Sequence, residues 1–256
     1  MRETSIIRVD EVHLRNPILV QGLPGLGYVG KTCVDYLVDK LHPKKFAELH
    51  SVHLTFPDRN LGVTIGMDGT YSLPRYEFYA YADGDQNLIL LSGDCQPNVQ
   101  GQYEVGNTVL DFVQEYECNR VVSIGGYGTR SQRDIGTVYA VASDTSSGEK
   151  LKRCGAILAR TGTITGACGV ILGLAGSRKM KGIALLGATR GIYPDLEATR
   201  AVVKALSCIL NLEIDIGDLD VEIANLKEKL AQLDQIQIEA PEQVQRREET
   251  GGKYIT

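Results

Sequence analysis

The sequence predicts an α/β domain in which helices cover both faces of a largely parallel sheet. Three observations favour this fold class. Short apolar runs bounded by turn residues alternate with segments of helical spacing, which is typical of parallel strands joined by helices. The chain has 256 residues and is 43% hydrophobic, so it has enough apolar surface for a sizeable core. No internal repeat and no proline- or serine-rich linker interrupts it before residue 213, so we expect one domain.

Five short apolar runs are predicted to form strands that are buried on both faces. They are Pro17 to Gln21, Ala47 to Leu54, Leu88 to Leu91, Val121 to Ile124 and Ile183 to Leu186. Four other segments carry apolar residues at helical spacing and are bounded by Gly, Pro or Asn. These predicted helices are Val29 to Leu41, Tyr103 to Tyr116, Ala167 to Leu174 and Leu196 to Leu210. Their alternation with the strands implies a largely parallel sheet with helices on both sides.

One segment departs from this alternation and is typical of a β-hairpin. The apolar residues of Leu61 to Ile65 and of Tyr71 to Tyr81 flank the sequence MDGT. Its Asp68-Gly69 pair is a strong signal for a tight hairpin turn. We therefore predict an antiparallel piece within the α/β pattern.

The C-terminal region has apolar residues that are alternately three and four positions apart. They are Ile216, Leu219, Ile223, Leu226, Leu230 and Leu233. Charged residues flank this narrow seam, which favours a coiled-coil-like helix that pairs with another helix. After Pro241 the residues are mostly polar, and we expect a flexible tail. The predicted organisation is a domain at 1–213, a heptad-patterned helix at 214–238 and a tail at 239–256.

Composition argues against several classes of function. The net charge is −5 and both signs are spread along the chain, so we expect no binding to nucleic acid or to anionic membranes. The apolar runs are too short to span a membrane, and the first residues lack a leader pattern, so we expect a cytoplasmic protein.

The cysteines and histidines give no signal for metal binding or for nucleophilic catalysis. The six cysteines form no Cys-x-x-Cys pair, and we expect reduced, mostly buried thiols. All four histidines lie within the first 53 residues, which weakens any Ser-His or Cys-His mechanism in later pockets. We therefore expect no metal ion and no cofactor.

A glycine-rich turn after the first predicted strand carries the strongest chemical signal. Gly25, Gly27 and Gly30 match G-x-G-x-x-G, and the eight residues GLGYVGKT match G-x-x-x-x-G-K-[ST]. In a nucleotide-binding enzyme the glycines would admit a phosphate, Lys31 would contact it and Thr32 would hold magnesium.

The surroundings of this turn favour a structural role. Leu23 and Pro24 separate the strand from the glycines, and Asp94 is the only acceptable acid for a magnesium ion. No acidic residue stands where a dinucleotide site requires one. A tight turn that packs a helix closely against a strand explains the same glycines.

Other glycine-rich junctions also follow predicted strands. They are Ser92 to Asp94, Gly125 to Thr129, Thr161 to Gly169 and Gly187 to Gly191. In an open parallel sheet these junctions gather at the carboxyl edge, where ligands bind. There they would form an anion-friendly cleft with Arg190 and the acids Asp94 and Asp195, as in a phosphorylase-like hydrolase. Turn geometry alone also explains these glycines and is the favoured interpretation.

Five ordered sequence blocks carry a resemblance to a known family. They are PGLGYVGKTCVDYL at Pro24 to Leu37, LSGDCQP at Leu91 to Pro97, VSIGGYGT at Val122 to Thr129, GACGVILGLA at Gly166 to Ala175 and LGATRGIYPDLEATRAVVKAL at Leu186 to Leu206. Their order and spacing resemble the proteasome assembly chaperone family in its archaeal form. The family's first block is itself a glycine-rich turn, and Lys31-Thr32 then completes the phosphate-binding pattern by coincidence.

The resemblance implies an α/β/α fold similar to nucleoside phosphorylases, no catalytic activity, and a tendency to form homo-oligomers. It implies a chaperone-like protein that binds proteasome α-subunits and assists or checks their assembly. Archaeal members often end in a hydrophobic-tyrosine-X tail that inserts between α-subunits. The matching positions are Tyr254, Ile255 and Thr256, although this tyrosine is third from the end rather than second. The alternatives are a nucleotide-binding enzyme, ATP-dependent and ligase-like or of the P-loop type, that uses Gly25 to Thr32, and a phosphorylase-like hydrolase.

Overall fold

The computed structural model describes residues 4–84, 86–191 and 194–239, with side chains up to residue 229. The helices are α1 (Val29–Leu41), α2 (Gln102–Gln114), α3 (Thr145–Arg153), α4 (Gly166–Ser177), α5 (Leu196–Leu210) and α6 (Gly217–Glu239). The strands are β1 (Thr4–Arg8), β2 (Ile18–Gly22), β3 (Lys44–Ser51), β4 (Leu54–Thr55), β5 (Thr64–Ile65), β6 (Tyr71–Ser72), β7 (Tyr76–Asp83), β8 (Gln86–Gly93), β9 (Gln96–Pro97), β10 (Arg120–Gly128), β11 (Val138–Ala142), β12 (Ile157–Leu158) and β13 (Lys181–Thr189).

Nine of these strands form one mixed sheet in the order β1-β3-β7-β8-β2-β10-β13-β11-β12. The four central strands, β8, β2, β10 and β13, are parallel, and antiparallel strands flank them. Central parallel strands need apolar side chains on both faces, which the continuous apolar runs of β2 and β8 provide. The predicted α/β sheet is confirmed.

An apolar core on each face of the sheet gives the molecule three layers. Helices α2 and α4 cover one face, where Phe46 and Phe78 pack against Phe112. Helices α1, α3 and α5 cover the other, where Leu37 and Val202 are fully buried. Each such side chain stabilises the fold by about 1.5–3 kcal/mol relative to exposure. The expected α/β/α architecture is therefore present.

Prediction of element bounds was most accurate where helix ends carry clear signals. Helices α1 and α5 begin and end at the predicted residues. At the start of α5 the Asp195 carboxylate accepts a hydrogen bond from the Ala198 N–H at 2.9 Å, and Asn211 ends the helix in a left-handed conformation. The sequence does not predict α3, β1, β11 or β12. Helix α3 buries Leu151 as its only large apolar side chain, so its periodicity is weak.

The predicted hairpin is correct in its turn but not in its extent. Strand β5 pairs with β6 across the MDGT turn, with Ile65 opposite Tyr71. The remainder of the second predicted strand forms β7, which joins the main sheet between β3 and β8. The residues between β6 and β7 include Pro74, which interrupts strand pairing.

Two of the six cysteines contradict the expectation of reduced thiols. Cys154, just after α3, forms a disulfide with Cys208 on α5. The two residues are 54 positions apart, and only the packing of α3 against α5 brings them together. Cys33, Cys95 and Cys118 are buried free thiols, as expected.

The chain divides into two compact units, one through Ile216 and one from Gly217. Ile216 packs against the core of the first unit. On α6, Leu219 is already buried in the single chain at 2% exposure, whereas Leu226 is 44% exposed. The predicted tail, residues 240–256, lies outside the described residues, as do the side chains of Leu230 and Leu233. Within the described ranges, α6 and the other helices lack the combination of length and apolarity that crossing a membrane requires.

Candidate functional site

The carboxyl ends of the four central strands meet at one edge of the sheet. Strand β2 ends at Gly22, β8 at Gly93, β10 at Gly128 and β13 at Thr189. Because these strands are parallel neighbours, the glycine-rich junctions that follow them are brought together, as the sequence predicts. This edge is the natural place to look for a site.

The turn between β2 and α1 is compact and closed by a hydrogen bond of its own, and it does not form an open loop. Leu26 to Tyr28 form a single 3₁₀ turn, closed by a hydrogen bond from the Tyr28 N–H to the Gly25 carbonyl oxygen at 2.9 Å. The Gly27 carbonyl oxygen accepts a hydrogen bond from the Asp195 N–H at 2.8 Å, which ties the turn to the start of α5. The backbone polar groups of the turn are therefore partly used within the protein.

Two glycines of the turn are required by close packing. A Cβ on Gly30 would lie 2.5 Å from the Ile124 carbonyl oxygen, so only glycine lets α1 approach β10 this closely. Gly27 has a φ of +61°, and a Cβ there would lie 2.4 Å from Oγ1 of Thr189. Packing against neighbouring strands therefore accounts for both glycines without a bound phosphate.

Lys31 is held by two carboxylates. Its Nζ lies 2.8 Å from Oδ2 of Asp35 and 3.0 Å from Oδ1 of Asp94. Burial alone would lower the pKa of Lys31, but hydrogen bonds to the two acids and their charges raise it above its ordinary value. A bound phosphate would have to displace both acids. Thr32 lies half-buried on α1.

The polar residues expected at the edge have other roles. Asp94 binds Lys31, Asp195 caps α5, and the Arg190 guanidinium donates a hydrogen bond to Oε1 of Gln132. No group of three or more His, Cys, Asp or Glu side chains in the described part of the chain is arranged to hold a metal ion.

A cleft of about 340 Å³ nevertheless opens at this edge, between the β2–α1 turn, the end of β10 and the start of α4. Its polar side chains are Gln21, Gln96, Tyr127, Thr163, Thr165 and Cys168, and none of the described lining residues is charged. The expectation that Arg190, Asp94 and Asp195 would line this cleft is wrong. Within this described lining, attraction for an anion would come only from hydroxyl groups and from backbone dipoles such as those at the start of α4.

The chemistry available in the cleft is limited to hydrogen bonding and apolar contact. The buried Gln21 donates from Nε2 to Oγ of Ser123 at 3.3 Å and to the Ala167 carbonyl oxygen at 3.4 Å. Burial raises the pKa of the Cys168 thiol, which makes the thiolate rarer and the side chain a weaker nucleophile. With no histidine or carboxylate among the described lining residues, the cleft lacks a general base.

Comparison with known protein families gives a match that covers most of the chain. The profile of the PAC2 family matches residues 19–234. The chain belongs to the PAC2 family. An uncharacterized relative, MJ1210 of Methanocaldococcus jannaschii, is 32% identical over 209 residues, which are 81% of this chain and 79% of the relative.

Two solved structures from Pyrococcus furiosus extend this result. The chain is 34% identical to PbaB, described as an archaeal proteasome activator, with a TM-score of 0.83 over 91% of this chain and 100% of PbaB. PbaA, described as an archaeal homolog of proteasome-assembly chaperone, is 23% identical with a TM-score of 0.76 over 94% and 96% of the two chains. At that identity PbaA supports the shared fold.

In this PAC2 family member, the predicted junctions Gly125 to Thr129 and Thr161 to Gly169 supply most of the polar side chains of the cleft. Gln21 and Gln96 lie outside the predicted junctions, and their place in the lining was not predicted. Gln21 ends a predicted strand and is 3% exposed, and the ring of Tyr127 lies against that of Tyr139 at a tilt of 37°, with ring centroids 4.4 Å apart. The one available signal was a polar residue at the end of an otherwise apolar run. The positions of Tyr254, Ile255 and Thr256 lie outside the described residues, so their proposed role rests on sequence.

Proposed function

We propose that this protein is a non-enzymatic, homo-oligomeric chaperone-like protein that acts in the cytoplasm on proteasome α-subunits. It binds the α-subunits of the core particle and assists or checks their assembly, partly through its C-terminal tail. The observation that carries this proposal is the 34% identity to PbaB across almost the whole of both chains. Membership of the PAC2 family supports the same assignment.

The geometry of the sheet edge supports a binding role over nucleotide chemistry. The glycines of the phosphate-loop pattern serve packing, and its lysine is neutralised by Asp35 and Asp94. Among its described lining residues, the neighbouring cleft offers neither a general base nor a cationic group. The described residues of this edge therefore add no phosphate-binding or catalytic side chain in support of the nucleotide-binding hypothesis or the hydrolase hypothesis.

In this proposal, each of the three predicted segments, 1–213, 214–238 and 239–256, has a separate role. The heptad positions of α6 would pair helices and so set how many tails one oligomer presents. Each tail would place the Tyr254 and Ile255 side chains in an apolar cleft between α-subunits. A single short tail binds weakly, but several tethered tails reinforce one another because each raises the effective concentration of the next.

We test this with purified α-subunits on a biosensor surface and the full-length protein in solution. The double substitution Tyr254→Ala and Ile255→Ala should weaken binding at least tenfold, because it removes both apolar contacts of every tail. Tyr103→Ala is the matched control, since Tyr103 is a 65% exposed tyrosine on α2 and its loss should leave binding unchanged. Equal binding by the tail variant would reject the role of the tail, and no binding by the wild type would reject the proposal.

The description of PbaB favours a second candidate function, activation of the assembled core particle. Peptide hydrolysis by mature core particles distinguishes the two. An assembly factor should raise the yield of core particles from separate subunits and leave the hydrolysis rate of mature particles unchanged. An activator should raise that rate directly.

A further inference from the structure

The hairpin formed by β5 and β6 exposes an unusual amount of apolar surface. Its exposed apolar residues are Leu61 (77%), Val63 (46%), Ile65 (74%), Met67 (110%), Tyr71 (78%) and Leu73 (46%). We call these six side chains the hairpin face. Single exposed apolar residues are ordinary, but six within thirteen residues form a patch of the kind that marks an interaction site.

The register of the hairpin places apolar residues together on one side. Ile65 lies directly opposite Tyr71, so their side chains share a face. In sequence Leu61, Val63 and Met67 alternate with Gly62, Thr64 and Gly66, and Leu73 follows Tyr71 after Ser72. Such alternation is typical of a strand with one side buried, yet here the apolar side is exposed.

Local hydrogen bonds hold this arrangement in place. The Gly66 N–H donates to the Thr70 carbonyl oxygen at 2.8 Å, and both the N–H and the hydroxyl of Thr70 donate to Oδ1 of Asp68. Gly69 adopts a φ of +79°, which the turn requires. The turn therefore fixes the register, but β5 and β6 form a separate two-stranded sheet. An isolated hairpin of this size is marginally stable in water and gains from a partner.

Charge and composition indicate what kind of partner fits. From Leu61 to Leu73 the only charged residue is Asp68, in the turn. A second copy of the same face would therefore meet almost no like-charge repulsion. Transient partners use surfaces about as polar as the average protein surface, whereas permanent homodimer interfaces are distinctly more apolar. The hairpin face has the composition of the permanent kind.

The size of the face also suits self-association. A stable interface buries about 800 Å² on each partner. Six largely exposed side chains provide on the order of several hundred Å², and the flanks of the hairpin add to it. The hairpin face thus supplies the apolar centre of such an interface.

We propose that the hairpin face is a homotypic interface, in which a second copy of this chain packs its own hairpin face against the first. The two copies contact through the same residues, as a two-fold axis requires. Ile65 and Tyr71 lie near the centre of the contact and Asp68 stays at its solvent-exposed rim. This goes beyond the proposed function, because it assigns an interface in the domain that is independent of α6 and of the tail.

The experiment compares the mass of the full-length protein in solution, measured by sedimentation equilibrium from 0.1 to 100 µM. The double substitution Ile65→Asp and Tyr71→Asp should lower the copy number at least twofold and raise the dissociation constant of the affected contact at least 100-fold. Both side chains are exposed in the single chain, so circular dichroism should remain that of the wild type. Tyr103→Asp is the control and should retain the wild-type mass, because Tyr103 is 65% exposed on α2 and lies outside the hairpin.

Three outcomes would overturn the proposal. They are a wild type that is monomeric at 100 µM, a folded double variant of wild-type mass, and an equal loss of mass in Tyr103→Asp. If the wild type is monomeric, a different protein is the expected partner of the hairpin face. A monomeric wild type would also contradict the homo-oligomeric part of the proposed function, whereas a folded double variant of wild-type mass would overturn this interface alone. A failure of α-subunit binding would leave this interface standing.

Discussion

At the scale of single residues, a glycine pattern acquires its meaning from the atoms around it. Gly25 and Gly30 are the first and last glycines of the phosphate-loop pattern, and their surroundings differ. Gly25 has an extended backbone, and a Cβ there would come no closer than 3.5 Å to another atom, which is ordinary contact. Gly30 faces a backbone oxygen that cannot move aside. A phosphate loop would need both glycines for its ligand, whereas this turn needs Gly30 for packing.

We therefore predict that replacement by alanine destabilises the protein at Gly30 and has little effect at Gly25. Gly30→Ala should lower the free energy of unfolding by about 1–3 kcal/mol, because the overlap with the Ile124 carbonyl oxygen outweighs the better helix propensity of alanine. Gly25→Ala should change it by less than about 0.5 kcal/mol. Urea unfolding of the two variants measures both. A larger loss for Gly25→Ala would contradict the space that the structure leaves around Gly25.

At the scale of elements, strands β3 and β7 are joined by a cluster of ion pairs on one face of the sheet. The Glu77 carboxylate lies 2.6 Å from Nζ of Lys45 and 2.9 Å from Nη2 of Arg75, and the Tyr79 hydroxyl donates to it at 2.6 Å. The Glu48 carboxylate also forms ion pairs with Lys45 and Arg75. Burial alone raises the pKa of Glu77, but the hydrogen bonds and charges of its partners lower it to about 2.

This cluster predicts a specific acid sensitivity. The folded pKa of Glu77 is about 2 and its ordinary value is 4.5, so its contribution is fully present above pH 4.5 and is lost as the pH falls towards 2. Glu77→Gln should cost on the order of 2 kcal/mol at pH 6, and the difference from wild type should shrink by more than half at pH 2.5. Unfolding curves at both pH values measure this. A gap that stays constant with pH would show that Glu77 acts by packing alone.

Glu149→Gln is the matched control for that experiment. Glu149 pairs with Lys152 on the surface of α3, where both side chains are more than half exposed. Solvent weakens such pairs, so this variant should differ little from wild type at either pH.

Elements also show how far the sequence determines the fold. Helices α1 and α5 are predictable to the residue because apolar periodicity and terminal signals agree. Helix α3 and strands β11 and β12 escape prediction because they are short and partly exposed, and their stability comes from packing on β13 and α5. The cleft was predictable in place, from the glycine junctions, but not in chemistry. Its uncharged lining depends on Lys31, Asp94 and Asp195 finding partners elsewhere, which only the fold reveals.

At the scale of the whole molecule, the two proposed interfaces act on one quantity, the number of tails that reach a proteasome ring at once. In this proposal the hairpin face would pair domains, and the heptad positions of α6 would pair helices. Avidity through tethering exceeds the affinity of one tail by about 10²–10⁴-fold. A change far from the tail should therefore alter α-subunit binding if it reduces the copy number.

The Ile65→Asp and Tyr71→Asp variant tests this dependence, because it keeps every residue of the tail. We expect its binding to a surface of assembled α-rings to be at least tenfold weaker than that of the wild type, with the loss mainly in a faster dissociation rate. On a sparse surface of single α-subunits, where only one tail engages, variant and wild type should bind alike. Tyr103→Asp should match the wild type on both surfaces. A dissociated variant that still binds rings at full strength would mean that one tail suffices and that oligomer size serves another purpose.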